Sequence, residues 1–149
     1  MQFEILNLKQ NSPDHKRNNN SCVLRVTAAG ESVLFPADIE ARAEKKLVKL
    51  HPGQLQAKYL VVPHHGSKTS SSARFLKAVK PQYALIPVGF RNRYGMPHLK
   101  VMQRYAKNRI KTRFTEASGA LELKLGEKNT NKGPVGYRQQ VQKYWNSRY

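Results

Sequence analysis

Two adjacent histidines in the middle of the chain have the side chains best suited to chemistry. His64 and His65 follow the apolar run 59–62 and precede Gly66 and a cluster of hydroxyl side chains. The run is typical of a buried strand, so the pair is expected where a strand passes into a loop. Imidazole is the commonest side-chain metal ligand and a common proton carrier, and strand ends in α/β layers form the usual ligand crevice. We therefore predict a functional site here, against the alternative of a solvated turn.

Two further side chains are predicted at neighbouring strand ends. Asp38 follows the predicted strand 32–35, and His98 ends the loop that begins at residue 89. A carboxylate can bridge two divalent metals or orient a ligand histidine. The competing interpretations are structural: Asp38 would cap the helix predicted over 39–50, and His98 would be an exposed residue at a helix start. For Asp38 the two roles are compatible.

Hydroxyl, guanidinium and aromatic groups near these positions predict binding of phosphate or nucleic acid. Hydroxyls and backbone N–H groups at a helix start can bind phosphate, although the same side chains could serve only as helix caps. Guanidinium groups bind phosphate oxygens, and aromatic rings among basic residues can stack on bases. The predicted contact residues are Ser67, Thr69, Ser70, Arg91, Arg93 and Tyr94.

Composition restricts both the chemistry and the partners. The chain of 149 residues carries 27 Lys and Arg against 9 Asp and Glu, a formal net charge of +18. Such a field attracts polyanions, with nucleic acid as the first candidate and an anionic membrane surface as the second. The single cysteine, Cys22, excludes an internal disulfide and a cysteine-based zinc site. A nucleophilic serine triad is disfavoured, because no Gly-x-Ser-x-Gly elbow occurs.

The elements that must position these groups predict one layered α/β domain, because strands alternate with helices. Strands are predicted over 1–8, 22–27, 32–35, 58–62, 83–88, 110–115 and 120–125, with a turn at 118–119, and helices over 39–50, 71–79 and 99–107. A polar linker indicates a domain over 1–127 and a basic, aromatic tail over 128–149. No apolar run approaches the about 20 residues of a membrane span, so this segment is expected to be soluble.

Several short motifs occur in an order that resembles a known family. Val-Pro-His-His-Gly-Ser at 62–67 is followed by Asn-Arg-Tyr-Gly at 92–95 and Pro-His at 97–98, within a region of about 19–125. This series resembles the metallo-β-lactamase-fold domain of the ComEC family, the inner-membrane DNA-uptake channels of competent bacteria. The resemblance implies a four-layer αββα fold, association with the bacterial inner membrane, and a nuclease that hydrolyses DNA phosphodiesters with a divalent metal, zinc or manganese.

The same resemblance assigns roles to the titratable residues. Asp38 matches the family's metal-bridging aspartate, and either His64 or His65 matches its final metal-site histidine. His98 matches the second histidine of a His-Pro-His element. We therefore predict Asp38, His64, His65 and His98 as metal ligands, with Asp38 and His65 as catalytic residues.

The chain also departs from the family pattern. The main metal motif of the fold, His-x-His-x-Asp-His, is absent; it belongs to the N-terminal half of the domain, which is expected to precede Met1 together with the membrane helices. Ala37, Met96 and Glu116 replace the family's Gly, His and Asp. The expected structure is thus the C-terminal half of the αββα sandwich, a mixed sheet flanked by helices. Its expected partners are DNA and the missing N-terminal half-domain or a membrane channel protein.

Two functions follow from this incomplete motif set. The first is part of a metal-dependent nuclease in DNA internalisation, catalytically incomplete as an isolated chain. The alternative is a non-catalytic DNA-binding module with a vestigial metal site. A hydrolase of small esters or phosphoesters is a weaker third option, because the basic excess argues against a neutral substrate.

Overall fold

A six-stranded mixed sheet organises residues 1–6, 17–126 and 133–141, which the computed structural model describes. Its strands lie side by side in chain order: β1 (Gln2–Ile5), β2 (Leu24–Ala28), β3 (Glu31–Phe35), β4 (Tyr59–Val61), β5 (Tyr83–Ile86) and β6 (Lys111–Phe114). β1, β2 and β3 pair antiparallel, and β3 to β6 pair parallel. Ala29 and Gly30 both have positive φ, 45° and 81°, as a tight two-residue hairpin turn between β2 and β3 requires.

Three helices connect the parallel strands and pack on one face of the sheet. They are α1 (Ala41–Leu50), α2 (Ala73–Val79) and α3 (Leu99–Lys107). Their buried side chains form one core with the strand residues that face them. The largest members of this core include Tyr105, Phe75, Leu34, Leu47, Leu60 and Ile86. A short 3-10 turn lies at Arg17–Asn20, and Pro63–Gly66 forms a turn whose last three residues have positive φ.

The opposite face of the sheet is covered only in part. Tyr59 and Tyr83 stack there with ring centroids 5.5 Å apart, and Leu123 and Leu125 pack over them. Towards β1 the same face is open: Phe3, Ile5 and Phe35 are 64%, 70% and 40% exposed, and the strand register places all three on this face. We call these three residues the open sheet patch.

The remaining described elements are short. α4 (Thr115–Ser118) follows β6, and β7 (Leu121–Glu122) pairs antiparallel with β8 (Val135–Gly136), which leads into α5 (Tyr137–Gln140). β8 and α5 fall within the predicted tail 128–149, but its boundary with the domain 1–127 and its last residues lie outside the described residues.

The architecture confirms the predicted α/β class, a mixed sheet flanked by helices, and is compatible with a half sandwich. Two local predictions are wrong. Helix α1 begins at Ala41 with Glu40 as N-cap, so Asp38 is not the cap. A turn at 118–119 does not join two long strands, because Thr115 leaves the ladder: its hydroxyl accepts from Val88 N at 2.9 Å and donates to Val88 O at 2.7 Å. The chain then coils into α4, and the strand predicted over 120–125 shortens to β7.

The helical layer makes a testable distinction between two phenylalanines. Phe75 is fully buried between α2 and the sheet, whereas Phe3 is 64% exposed on the open sheet patch. Phe75→Ala should lower the free energy of unfolding by about 3–5 kcal/mol, and Phe3→Ala should change it by less than about 0.5 kcal/mol. Urea unfolding followed by circular dichroism measures both, and equal losses would contradict this packing.

Candidate active site

The predicted site residues gather at one edge of the sheet because β3, β4 and β5 are parallel. Their carboxyl ends meet at that edge, and the chain leaves them towards Asp38, the histidine pair and Pro87 respectively. The backbone N–H of His64 donates to the carbonyl of Ala37 at 3.0 Å. This bond joins the segment after β4 to the segment after β3, so the two are held side by side.

Asp38 and His65 form the only close pair among the predicted metal ligands in the described residues. His65 Nε2 lies 3.7 Å from Asp38 Oδ1, and both side chains are about half exposed, at 50% and 48%. His65 Nδ1 lies 2.7 Å from the carbonyl oxygen of Pro87. Because a carbonyl only accepts, Nδ1 carries a proton, and in the neutral ring the Nε2 lone pair faces the carboxylate. Two acceptors that face each other in this way suit a cation or a proton between them.

His64 points elsewhere in the fold. Its Nε2 lies 3.4 Å from Asn18 Nδ2, and its Nδ1 is buried without a hydrogen-bond partner among the described residues. The structure therefore separates the two histidines that the sequence left equivalent. His65 approaches Asp38, and His64 does not.

His98 lies at the N-terminus of α3 and caps it. This is the position that the structural interpretation of His98 describes. Its Nδ1 accepts from the N–H of Lys100 at 3.2 Å, and its own N–H donates to the Gly66 carbonyl at 2.9 Å. Within the described ranges, no group of three or more His, Cys, Asp and Glu side chains is placed to hold a metal ion. The structure thus brings Asp38 and His65 together; the ligand roles of all four residues stay predictions.

The histidine turn has an unusual backbone. His64, His65 and Gly66 have φ of 51°, 53° and 83° in succession. Residues other than glycine rarely adopt this conformation, and such strain clusters at functional sites. A Cβ on Gly66 would lie 2.6 Å from Cβ of Pro97, so only glycine lets the segment before His98 pack against the turn.

The hydroxyl cluster after the turn is hydrogen-bonded within itself and to neighbouring groups of the protein. Thr69 Oγ1 donates to Glu40 Oε1 at 3.1 Å and lies 3.1 Å from Ser67 Oγ. Ser70 is 1% exposed, and its hydroxyl donates to the carbonyls of Pro63 and Ser67 at 2.8 and 3.0 Å. These bonds give the loop its shape. Of the predicted phosphate contacts, Arg91, Arg93 and Tyr94 are the exposed ones.

Comparisons with known proteins show which sequences the chain is similar to. No protein-family model matches the chain. The chain is 44% identical over 109 residues to competence protein ComA of Neisseria gonorrhoeae, which covers 73% of the chain and 16% of that protein. ComE operon protein 3 of Bacillus subtilis is 33% identical over 124 residues, covering 83% of the chain and 16% of that protein.

A further relative is named for recombination. Recombination protein 2 of Haemophilus influenzae is 34% identical over 123 residues, covering 83% of the chain and 15% of that protein. The chain therefore spans about one sixth of the length of the curated relatives it matches. Each similarity is therefore to one segment of a longer protein.

A buried network behind the site was missed from the sequence. The carboxylate of Glu44, on α1, is fully buried and accepts the backbone N–H groups of Ser71 at 2.5 Å and Ser72 at 2.8 Å. Tyr105 OH lies 2.9 Å from Ser71 Oγ, and Arg104 donates to the carbonyls of Ser70 and Ser71 at 2.8 and 2.9 Å. Helices α1 and α3 thus hold the loop that continues from the histidine turn.

A sequence signal for this network did exist. Glu44 lies three residues before Leu47, on the apolar side of a helix whose other charged residues are basic. An acid at such a position needs donors. Burial raises the pKa of Glu44 above its ordinary value, although its hydrogen bonds to Ser72 and Ser71 and the charge of Arg104 lower it. Burial likewise raises the pKa of Tyr105.

Gly66 and Gly53 form a matched pair for testing the contact at the turn. Both have positive φ, 83° and 79°, but a Cβ on Gly53 meets nothing within 4 Å. Gly53→Ala should cost about 1–2 kcal/mol for the left-handed backbone alone. Gly66→Ala should cost clearly more, because the histidine turn and Pro97 must also separate. Denaturant unfolding of both variants checks this, and equal costs would contradict the contact.

The raised pKa of Glu44 predicts a pH dependence of stability. The folded state holds the Glu44 proton more tightly than the unfolded chain does, and in the unfolded chain the pKa of Glu44 is near 4.5. Folding stability therefore falls as the pH rises from about 4.5 through the raised pKa, by at most about 1.4 kcal/mol per pH unit.

Glu44→Gln should remove this part of the slope, whereas Glu122→Gln, on an exposed strand residue, should keep it. The measurement is urea unfolding of the three proteins at a series of pH values. Parallel pH profiles for all three proteins would show that Glu44 does not titrate in this range.

Proposed function

We propose that the chain is part of a DNA-internalisation protein and contributes to a metal-dependent, nuclease-like domain acting on DNA phosphodiesters. The observation that carries the proposal is the Asp38–His65 pair, whose facing acceptor atoms lie at the edge of the sheet. The relative named competence protein ComA supports a role in competence, and the resemblance to the DNA-uptake family implies DNA as the substrate. The charge of +18 supports a polyanion independently.

The donor pair fits part of a divalent metal site. Two donors at about 2.1 Å from a tetrahedral ion lie about 3.4 Å apart, close to the 3.7 Å between His65 Nε2 and Asp38 Oδ1. The Pro87 carbonyl fixes the ring of His65 as carbonyls fix ligand histidines in metalloproteins. Two donors are fewer than the three or four protein ligands of such sites. The remaining ligands would come from the N-terminal half-domain.

A divalent ion at this pair would supply Lewis acidity and an activated water. The contribution of the chain itself is orientation and charge. Asp38 presents a carboxylate to the site, and the bond from Nδ1 to Pro87 keeps His65 Nε2 directed at it, free to hold a ligand or take a proton. The bond from His64 N–H to Ala37 keeps the two segments in register.

The outer surface of the helical layer supports binding of a polyanion. Glu44 is the only acid within α1, α2 and α3, and it is buried. The exposed cations of these helices are Arg42, Lys45, Lys46, Lys49, Arg74, Lys77, Lys100 and Lys107. A surface of one sign attracts DNA in a manner that weakens steeply with salt.

The open sheet patch supports a partner layer. Phe3, Ile5 and Phe35 expose apolar surface next to side chains of the same face that are buried, and such patches mark contact surfaces. The occupant we propose is the N-terminal half-domain, or the membrane channel protein to which it is joined. This arrangement would place the site at the bacterial inner membrane. Within the described residues, no helix is long and apolar enough to cross a membrane.

One observation favours a second candidate, a DNA-binding module without catalysis. No group of three or more potential metal ligands is assembled within the described ranges. In that case the Asp38–His65 pair would be a remnant, and DNA binding would be independent of metal. The two candidates differ in whether a divalent ion binds at the pair.

Metal binding to the 149-residue chain separates the two candidates. We expect Zn²⁺ or Mn²⁺ to bind weakly, and Asp38→Ala or His65→Ala to weaken the binding at least about tenfold, because each removes one donor of two. His51→Ala is the matched control, since His51 lies in a separate loop after α1. Isothermal titration measures the affinities, and equal binding by all four proteins would remove the pair from the metal site.

Cleavage is measured on protein that also carries the upstream half-domain. Asp38→Ala should then lower the rate of DNA hydrolysis by at least about a hundredfold, while His51→Ala keeps it. Unchanged cleavage by Asp38→Ala would remove Asp38 from the mechanism. DNA binding with a steep salt dependence and no cleavage in any form would favour the non-catalytic module.

A further inference from the structure

The loop between β5 and α3 exposes two aromatic rings that take no part in the core. Phe90 is 59% exposed and Tyr94 is 69% exposed. Each ring lies beside a guanidinium group: Arg91 is 5.2 Å from the centroid of Phe90, and Arg93 is 5.0 Å from that of Tyr94. We call residues 90–94 the aromatic–arginine loop.

This loop is held in shape by its own hydrogen bonds. The side chain of Asn92 donates to the Met96 carbonyl at 2.7 Å and accepts the Met96 N–H at 3.0 Å. Just beyond it, Pro97 packs against Gly66, and His98 N–H donates to the Gly66 carbonyl. These contacts hold the backbone that carries the exposed rings in one conformation. This lowers the entropy cost of binding through the rings.

The aromatic–arginine loop is also close to the Asp38–His65 pair. Pro87, whose carbonyl fixes His65, is three residues before Phe90, so their Cα atoms are at most about 11 Å apart. No acidic residue occurs between residues 87 and 100, and Lys100 adds to the two arginines. A polyanion bound at the loop would thus lie near the segment whose carbonyl fixes His65.

We propose that the aromatic–arginine loop selects single-stranded nucleic acid, with Phe90 and Tyr94 stacking on unpaired bases and Arg91 and Arg93 binding the adjacent phosphates. Exposed rings beside cations are the means by which proteins bind single strands without reading sequence. In a duplex the base faces are already stacked on each other and closed to these rings. The role of the selected strand as substrate rests on the proposed function, whereas the binding itself does not.

Three fluorescent oligonucleotides of equal length separate base stacking from charge. They are an oligo-thymidine, an abasic strand with the same number of phosphates, and a duplex. Binding to the full 149-residue chain is followed by anisotropy at fixed salt in the presence of a chelator. We expect the oligo-thymidine to bind at least about fivefold more tightly than the abasic strand, because stacking on each ring contributes a factor of this order.

The variant Phe90→Ala/Tyr94→Ala should lose this preference and keep its affinity for the abasic strand. Phe90→Tyr/Tyr94→Phe, which retains both rings, should keep the preference. Leu50→Ala is the matched control, because Leu50 is an apolar side chain 58% exposed on α1. Thermal unfolding of each variant shows that the fold is intact.

Equal affinity of the wild type for the thymidine and abasic strands would overturn the proposal. So would a preference that survives the loss of both rings, or a double variant impaired only in binding phosphatidylserine vesicles, which would assign the loop to a membrane surface. Asp38→Ala should keep the thymidine preference, because Asp38 lies outside the aromatic–arginine loop. If the wild-type protein shows no metal binding and no cleavage while the thymidine preference persists, the active-site proposal is wrong and the strand-binding loop stands.

Discussion

The bond between one buried carboxylate and two backbone N–H groups supports the rest of the candidate site. Glu44 reaches from α1 to the backbone of Ser71 and Ser72, where the chain turns from the histidine segment into α2. A loop in this position has backbone groups that no strand or helix can satisfy, and leaving them unpaired inside a protein is costly. Arg104 and Tyr105 of α3 bind the same loop. The loop is therefore held by α1 and α3, and it continues into α2.

This support explains how the histidine turn tolerates its strained backbone. A run of three left-handed residues is unfavourable for the two histidines. It persists because both flanks are fixed, by strand β4 before the turn and by the Glu44 network after it. As a result, two chemically identical side chains point in different directions. His65 is directed at the solvent-facing edge beside Asp38, and His64 is directed inward towards Asn18.

Local signals in the sequence were sufficient for much of the fold. The apolar runs of β4 and β5 and the amphipathic pattern of α3 depend on neighbours along the chain. The structure has elements there within about two residues of the prediction. The start of α1 depends on a distant partner. The side chain of Asn19 accepts the N–H of Glu40 at 2.9 Å, and this bond, which no local pattern shows, places the N-cap two residues after Asp38.

The candidate site was predictable by residue type and less so by geometry. The sequence indicated Asp38 and a histidine pair, but the choice between His64 and His65 depends on the carbonyl of Pro87, 22 residues further along. The pairing of β7 with β8 likewise joins segments separated by residues 123–134. Spacing and periodicity carry no information on contacts of this kind.

The strand order has a consequence for how the chain acquires its structure during synthesis. Every strand of the six-stranded sheet neighbours the strand before it in the chain, so no pairing waits for a segment made much later. Each parallel pairing still spans a helical connection, and pairing of this kind is slow to form, but domains commonly fold as they leave the ribosome. The sheet can therefore grow strand by strand from β1 to β6, and the support of the histidine turn is complete once α3, which follows β5, adds its bonds to Ser70 and Ser71.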